Sequence, residues 1–175
     1  MGLASSHKPV LLITAVVSRH DSALEWARSQ LVDAWGPIWQ ASPAFDFTET
    51  KFYEAEMGTG LKKQFLAFAD LVDPGLAPDH KILTNQLEIQ YAEEHSHAET
   101  RPLNLDPGYI SEAKLVLSTT KDRDHRIYLR DGIFAEVTLH YQRSGWAQAR
   151  WTYPDYQRAD FQEFFTECRT HLRTL

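Results

Sequence analysis

A single cysteine, Cys168, stands among the 175 residues, which excludes a disulfide framework and a cysteine-rich zinc site. Long hydrophobic runs are missing as well. The longest, Val10 to Val17 (VLLITAVV), is far short of the roughly 20 residues that span a bilayer. It also lacks the charged start and small-residue cleavage site of a signal peptide. Nor is there a basic excess: 18 Lys and Arg against 24 Asp and Glu leave a net charge of −6, so no global positive field draws the chain to nucleic acid or anionic lipid. The expectation is a cytoplasmic protein with no membrane partner and with nucleic acid a disfavoured one. The opening MGLASS fits a loose acylation pattern at Gly2 and Ser6, but no polybasic second anchor follows it.

What is present favours a compact fold. Hydrophobic residues make up 43% and aromatics 12%, enough for a sizeable core, so one domain over 1–175 is expected, with 1–8 as a flexible tail. Pro9 to Ser18 is β-branched and nearly all apolar, the pattern of a central strand buried on both faces. Leu24, Ala27, Leu31 and Trp35 recur at helical spacing, with Asp21 or Ser22 as cap, Glu25 completing a capping box and Gly36-Pro37 as the stop. Residues 38–57 read as extended, and MGTG at 57–60 as a turn with Gly58 and Gly60. LKKQFLAFADLV then returns as a strand. Asp79 to Glu94 reads as a second helix, and 101–120 as a strand interrupted by a turn at Asp106-Pro107-Gly108. Strand, helix, strand, strand, helix, strand is the split βαβ order of a ferredoxin-like domain. The expected class is therefore α+β: a ferredoxin-like core with an antiparallel sheet, extended by a C-terminal β-hairpin and a helix. In that helix Phe161, Phe164, Phe165, Cys168 and Leu172 form an apolar stripe, where Cys168 is an inert buried thiol.

The segment 119–140 carries polar residues through a hairpin. A two-residue Asp131-Gly132 loop sets Ile127 opposite Glu136. A three-residue loop over 130–132 sets Leu129 opposite Ile133, Ile127 opposite Ala135 and Arg126 opposite Glu136. The second register keeps Ile127, Leu129, Ile133, Ala135 and Val137 on one buried face. It leaves Arg126, Tyr128, Phe134, Glu136, Thr138 and His140 on the other, for which plain solvent exposure is the simpler reading.

FDFT at 45–48, EMG at 56–58, TN at 84–85, NLDPGY at 104–109, TTK at 119–121, HRIYL at 125–129, EVTL at 136–139 and TYPDY at 152–156 form an ordered set. From about Pro9 to the C-terminus it resembles a bacterial family known as a domain of unknown function, DUF4416. The resemblance implies relatives without a reaction, although members are sometimes labelled GTP-binding. A P-loop, G-x-x-x-x-G-K-[ST], is absent: GTGLKK at 58–63 has the wrong spacing and no hydroxyl after the lysine. Lys62 and Lys63 could still meet an anion.

Cationic donors beside carboxylates suit phosphate or carboxylate ligands, and a histidine moves protons near neutral pH. Asn104, Asp106, Lys114, Lys121, Arg126 and Glu136 are therefore candidate ligand-binding residues, and His125 a candidate general acid or base. Lys114 is singled out by its place inside the apolar strand EAKLVL. Asp46, Glu54, Glu56 and Asp106 could hold Mg²⁺ with a phosphorylated ligand, though their spacing does not require it. His95 and His97 fall on one side of an extended chain and, with an Asp or Glu, could make a three-ligand site, but a solvated loop is the simpler reading and no metal ligand is assigned. Ser111 and Ser118 lack a histidine partner. WTYPDY at 151–156 is either a rigid lead into the last helix or an aromatic wall for a ring. The function expected is binding of a phosphorylated or other anionic small molecule, with nucleotide-like ligands and turnover as open options. The alternative is a noncatalytic protein- or RNA-interaction module, with Tyr128 and Phe134 as stacking residues.

Overall fold

Nine consecutive buried residues form β1, Val10–Ser18, at the middle of an antiparallel sheet of nine strands. The computed structural model describes residues 2–3 and 5–175. Of the expected tail, residues 2–3 and 5–8 hold no regular element, and Met1 and Ala4 lie outside the described residues. The other strands are β2 Ile38–Ala41, β3 Phe45–Asp46, β4 Lys62–Val72, β5 Asn104–Ile110, β6 Lys114–Thr119, β7 Ile127–Arg130, β8 Ile133–Gln142 and β9 Gly145–Gln148. Their order is β2-β4-β1-β5-β6-β8-β7, with β3 on β4 and β9 on β8. The helices are α1 Asp21–Trp35, α2 Glu54–Met57, α3 Ala77–Glu94 and α4 Ala159–Leu172.

Period-2 alternation in β1 assigns its side chains to two cores. Leu12 and Val16 join Ala23, Leu24, Ala27 and Leu31 of α1 and Leu87 and Tyr91 of α3. Leu11, Ile13 and Ala15 face the other way, onto Phe161, Phe164, Phe165 and Cys168 of α4. The result is an α+β arrangement in three layers, with α1 and α3 on one face of the sheet and α4 on the other. No described helix is long and apolar enough to cross a membrane.

Four local expectations are corrected. The capping box at the start of α1 does not form: His20 is the N-cap, without a side-chain cap bond. TKFYEAEM is not extended but contains α2, and Gly58 (φ 75°) ends that helix rather than turning a hairpin. Asp106-Pro107-Gly108 is not a turn, because β5 runs straight through it. Gly108 is there for close approach: a Cβ would sit 2.2 Å from the Val116 carbonyl oxygen on β6. Pro107 lies just before the β5–β6 ladder begins, where a missing N–H is tolerated. Finally, the β7–β8 turn has two residues, Asp131 (φ 53°) and Gly132 (φ 76°). An irregularity between Tyr128 and Arg130 sets Arg130, not Leu129, opposite Ile133, and thereby restores Ile127 opposite Ala135.

Candidate functional site

β5 and β6 pair only from Gly108 with Leu117 to Ile110 with Leu115. Ahead of Gly108 and beyond Leu117 the strands part, and a cleft of about 590 Å³ opens there. That volume is in the range of small-molecule sites, about 300–1,000 Å³. Asn104 and Asp106 enter from β5, Ser118 and Thr119 from β6, Lys81 and Asn85 from α3, and Lys63 from β4. Phe47, Phe52, Tyr53, Trp151, Tyr153 and Tyr156 supply aromatic surface.

The hairpin contributes through the face expected to meet solvent. Glu136 and Thr138 are buried, whereas Ile127 is 70% exposed and Leu129 and Val137 are exposed too. Parity sorts the two sets as far as Thr138, but they are reversed relative to the interior, except that Ile133 is buried and Tyr128 is exposed. At Thr138 an irregularity sets Val137 opposite Val116 but Leu139 opposite Leu115, which turns His140 onto the side of Val137. β7 is an edge strand whose Ile127 and Leu129 stay exposed, while the segment 151–156 closes over the polar side, Tyr153 meeting Arg126 and Trp151 the Val137 carbonyl. Arg126 and Glu136 do pair, Nε to Oε2 at 2.9 Å, but as a buried couple with side chains 4% and 2% exposed. Arg126 Nη1 also donates to the Lys121 carbonyl and Nη2 to the Tyr153 hydroxyl. Thr138 Oγ1 donates to Glu136 Oε1. His125 stacks on Trp151 (centroids 5.1 Å, 11°), with Nε2 3.0 Å from Glu136 Oε2 and Nδ1 3.0 Å from Asp124 Oδ1.

A second charge network lines the opposite wall. Asn104 Nδ2 donates to Asp106 Oδ2 (2.7 Å), Lys81 Nζ donates to the Leu105 carbonyl (2.7 Å), and Arg101 bridges Asn104 and Glu88. The Asp106 side chain is 29% exposed and lines the cleft. Burial pushes its carboxyl upward, but Lys81, Lys63, the Asn104 hydrogen bond and Arg101 outweigh this and hold it below the usual range. Glu88 goes the other way: burial raises it despite Lys81 and Arg101. Lys63 and Asp155 form a buried pair at 2.6 Å, with Lys63 Nζ 4.4 Å above the Tyr156 ring. Burial raises the phenols of Tyr53, Tyr153 and Tyr156. The Tyr156 hydroxyl is buried with no partner among the described residues.

Six of the seven expected site residues, Asn104, Asp106, Lys121, His125, Arg126 and Glu136, line this one cleft. Lys114 does not. It sits at the far end of β6, opposite His140. Five residues separate it from Thr119, roughly 16 Å along a strand. Of the carboxylates considered for Mg²⁺, only Asp106 lines the cleft, and Asp46, Glu54 and Glu56 do not converge on it. Lys62 meets Asp21 (2.7 Å) and Lys63 meets Asp155, so both find anions within the chain. Sequence reasoning named Lys63 only as a lysine that could meet an anion, and it missed Lys81, Arg101, Arg123 and Asp155. The available signal was phase: Lys63 shares strand parity with buried Phe65 and Ala67, and Lys81 lies on the helical stripe of Thr84 and Leu87.

Six cationic side chains (Lys63, Lys81, Arg101, Lys121, Arg123 and Arg126) and four carboxylates (Glu49, Asp106, Glu136 and Asp155) line the cleft. Most of the cations are matched internally. Among the described residues, Lys121 and Arg123 have no carboxylate partner, and Lys121 Nζ rests 4.5 Å from the centre of the Phe52 ring. Such a site can hold an anion at its rim and an aromatic group against its wall.

No curated protein and no solved structure matches the chain. The chain belongs to the family described as Domain of unknown function (DUF4416), which it matches over residues 8–171.

Proposed function

We propose that the cleft binds a phosphorylated or otherwise anionic small molecule carrying a ring, nucleotide-like in its combination of charge and aromatic surface. One observation carries this reading: in a chain of net charge −6, the cleft gathers more cations than carboxylates and, among the described residues, leaves Lys121 and Arg123 without a carboxylate partner. Lys121 and Arg123 receive the anion, Trp151 and Tyr153 face the ring, and Arg126 holds the wall in place rather than touching the ligand. Asn104 and Asp106 offer a donor and an acceptor for hydroxyl or amino groups. His125 is the candidate acid or base if turnover occurs. Asp124 is 72% exposed, so Nδ1 exchanges that partner for a ligand at low cost. In this reading the scaffold is a ferredoxin-like core. The order β2-β4-β1-β5, with α1 and α3 on one face, supports it.

The test is thermal shift of the full chain against nucleotides, sugar phosphates and polyphosphates, with and without Mg²⁺. A ligand at 100 times its Kd stabilises by about 2.7 kcal/mol, or about 5–10 °C for a chain of this size. A hit that survives Lys114→Ala but is lost in Lys121→Ala/Arg123→Ala supports the assignment. No hit across the panel, or a hit indifferent to the double substitution, refutes it. The exposed apolar side of the hairpin favours a second reading, an interaction module. Under that reading the panel gives no shift and substitution of Ile127 abolishes partner capture.

A further inference from the structure

Away from the cleft lining, the start of α1 meets the loop that follows α3. Helix N-caps favour Ser, Thr, Asp or Asn, whose side chains bond the first free N–H groups. His20 occupies that position without making such a bond. Its ring turns instead to Glu99, with Nε2 3.0 Å from Oε2. The His97 ring lies against it, centroids 4.3 Å apart. One ligand atom from each of the three residues falls within 4.8 Å of the others. A tetrahedral zinc ion with bonds of about 2.0–2.2 Å holds its ligand atoms roughly 3.3 Å apart, so a modest contraction of this cluster completes the geometry.

We propose that His20, His97 and Glu99 form a binding site for a divalent transition metal of the zinc type, with three protein ligands and a fourth position open to water. Two imidazoles and a carboxylate are a donor set that such ions prefer over Mg²⁺ or Ca²⁺. The surroundings orient the donors as outer-shell groups do in metal sites. Arg19 Nη1 donates to Glu99 Oε1 at 2.9 Å, which leaves Oε2 facing the imidazoles. His97 Nε2 lies 3.1 Å from the Tyr91 hydroxyl, which leaves Nδ1 for the ion. Ser18 joins the two segments: its hydroxyl donates to the Pro102 carbonyl (2.6 Å) and accepts from the His20 N–H (3.0 Å). Gly58 permits the close approach, since a Cβ there would stand 2.8 Å from Arg19 Nη1 and 3.1 Å from Glu99 Oε1. His95, although it belongs to the same His-Ser-His run, stacks on Tyr91 and turns Nδ1 to the Tyr91 carbonyl at 3.2 Å. It is excluded from the site and serves as an internal control.

The experiment uses the full chain without a histidine tag, stripped with EDTA and titrated with Zn²⁺ against a chromophoric chelator, with Co²⁺ as spectroscopic probe. The expected result is one Zn²⁺ per chain and visible cobalt bands of four- or five-coordinate type. His20→Ala, His97→Ala and Glu99→Gln each weaken Zn²⁺ binding by more than about 100-fold, beyond the range of outer-shell substitutions, while Tyr91→Phe costs about tenfold. His95→Ala leaves the affinity unchanged. Circular dichroism checks each variant. If His20→Ala does not fold, His20→Asn retains a good N-cap and decides the same point. Three results each overturn the proposal: no stoichiometric binding at micromolar Zn²⁺, a six-coordinate aquo-like cobalt spectrum, or equal losses in His95→Ala and His97→Ala.

Discussion

Replacing Asp155 by Asn isolates the strongest electrostatic commitment in the cleft. Lys63 and Asp155 are 4% and 6% exposed and 2.6 Å apart, so the lysine has no solvent to replace a lost partner. At an effective dielectric of about 20 their attraction is about 6 kcal/mol, offset by the desolvation of both charges. Breaking such a pair from one side typically costs about 3–5 kcal/mol, because the survivor stays buried and uncompensated. Three rings close to Lys63 Nζ, at 4.4, 5.0 and 5.6 Å, soften that penalty without removing it. For a chain of this size each kcal/mol moves Tm by about 2–4 °C, so Asp155→Asn lowers it by roughly 6–20 °C. The double variant Lys63→Met/Asp155→Leu, which removes both charges, recovers most of the loss. Scanning calorimetry of the wild type, Lys63→Met, Asp155→Leu and the double variant closes the cycle. A loss of less than about 2 °C in a folded Asp155→Asn protein would refute the reasoning, because the lysine would then have found water or another anion.

Gly108→Ala forces a Cβ to 2.2 Å from a backbone oxygen, so β5 and β6 must separate. Urea denaturation is expected to show a loss of about 3 kcal/mol or more, at or above the top of the overpacking range, and a near-neutral result would contradict the close approach. Burial lowers the His80 imidazole below its ordinary 6.5, with Asp79 opposing, and Nε2 is buried with no partner among the described residues. The neutral form is thus the folded one: its contribution is complete above pH 6.5 and is lost as pH falls toward the folded value. The wild type should lose stability over that window relative to His80→Phe, and parallel pH profiles would exclude the effect. Burial likewise pushes the Cys168 thiol well up. A thiol reagent should label it only at the rate of unfolding, and prompt labelling of the native protein would show an opening at α4.

Elements whose pattern and environment agree could be read from the chain alone. β1 is continuously apolar and is buried on both faces. The 161, 164, 165, 168 stripe of α4 meets the sheet because nothing polar interrupts it. Reading failed where a local signal served a tertiary purpose. Asp106-Pro107-Gly108 has turn chemistry, yet its glycine makes room for a neighbouring strand. In the β7–β8 hairpin, parity separated the polar from the apolar side chains as far as Thr138 and failed at His140, beyond the irregularity in β8, and the Arg126–Glu136 pairing followed from register. Which side faces inward depends on the segment 151–156 folding over it, and no local period encodes that. Lys63 and Lys81 were hidden for the opposite reason, since charges on an inward face erase the amphipathic contrast on which sequence reading depends.

β8 is longer than either strand on its outer side. β7 covers Ile133 to Ala135 and β9 covers Leu139 to Gln142. In the interval, Trp151 Nε1 donates to the Val137 carbonyl and Thr152 Oγ1 to the Thr138 carbonyl. Two side chains thus take up two carbonyls where neither outer strand reaches. The aromatic wall of the cleft hangs from that stretch of backbone as a door hangs from its frame. Pressure on Trp151 from inside the cleft is therefore transmitted to the middle of β8, and amide exchange around Val137 becomes a gauge of what the cleft holds.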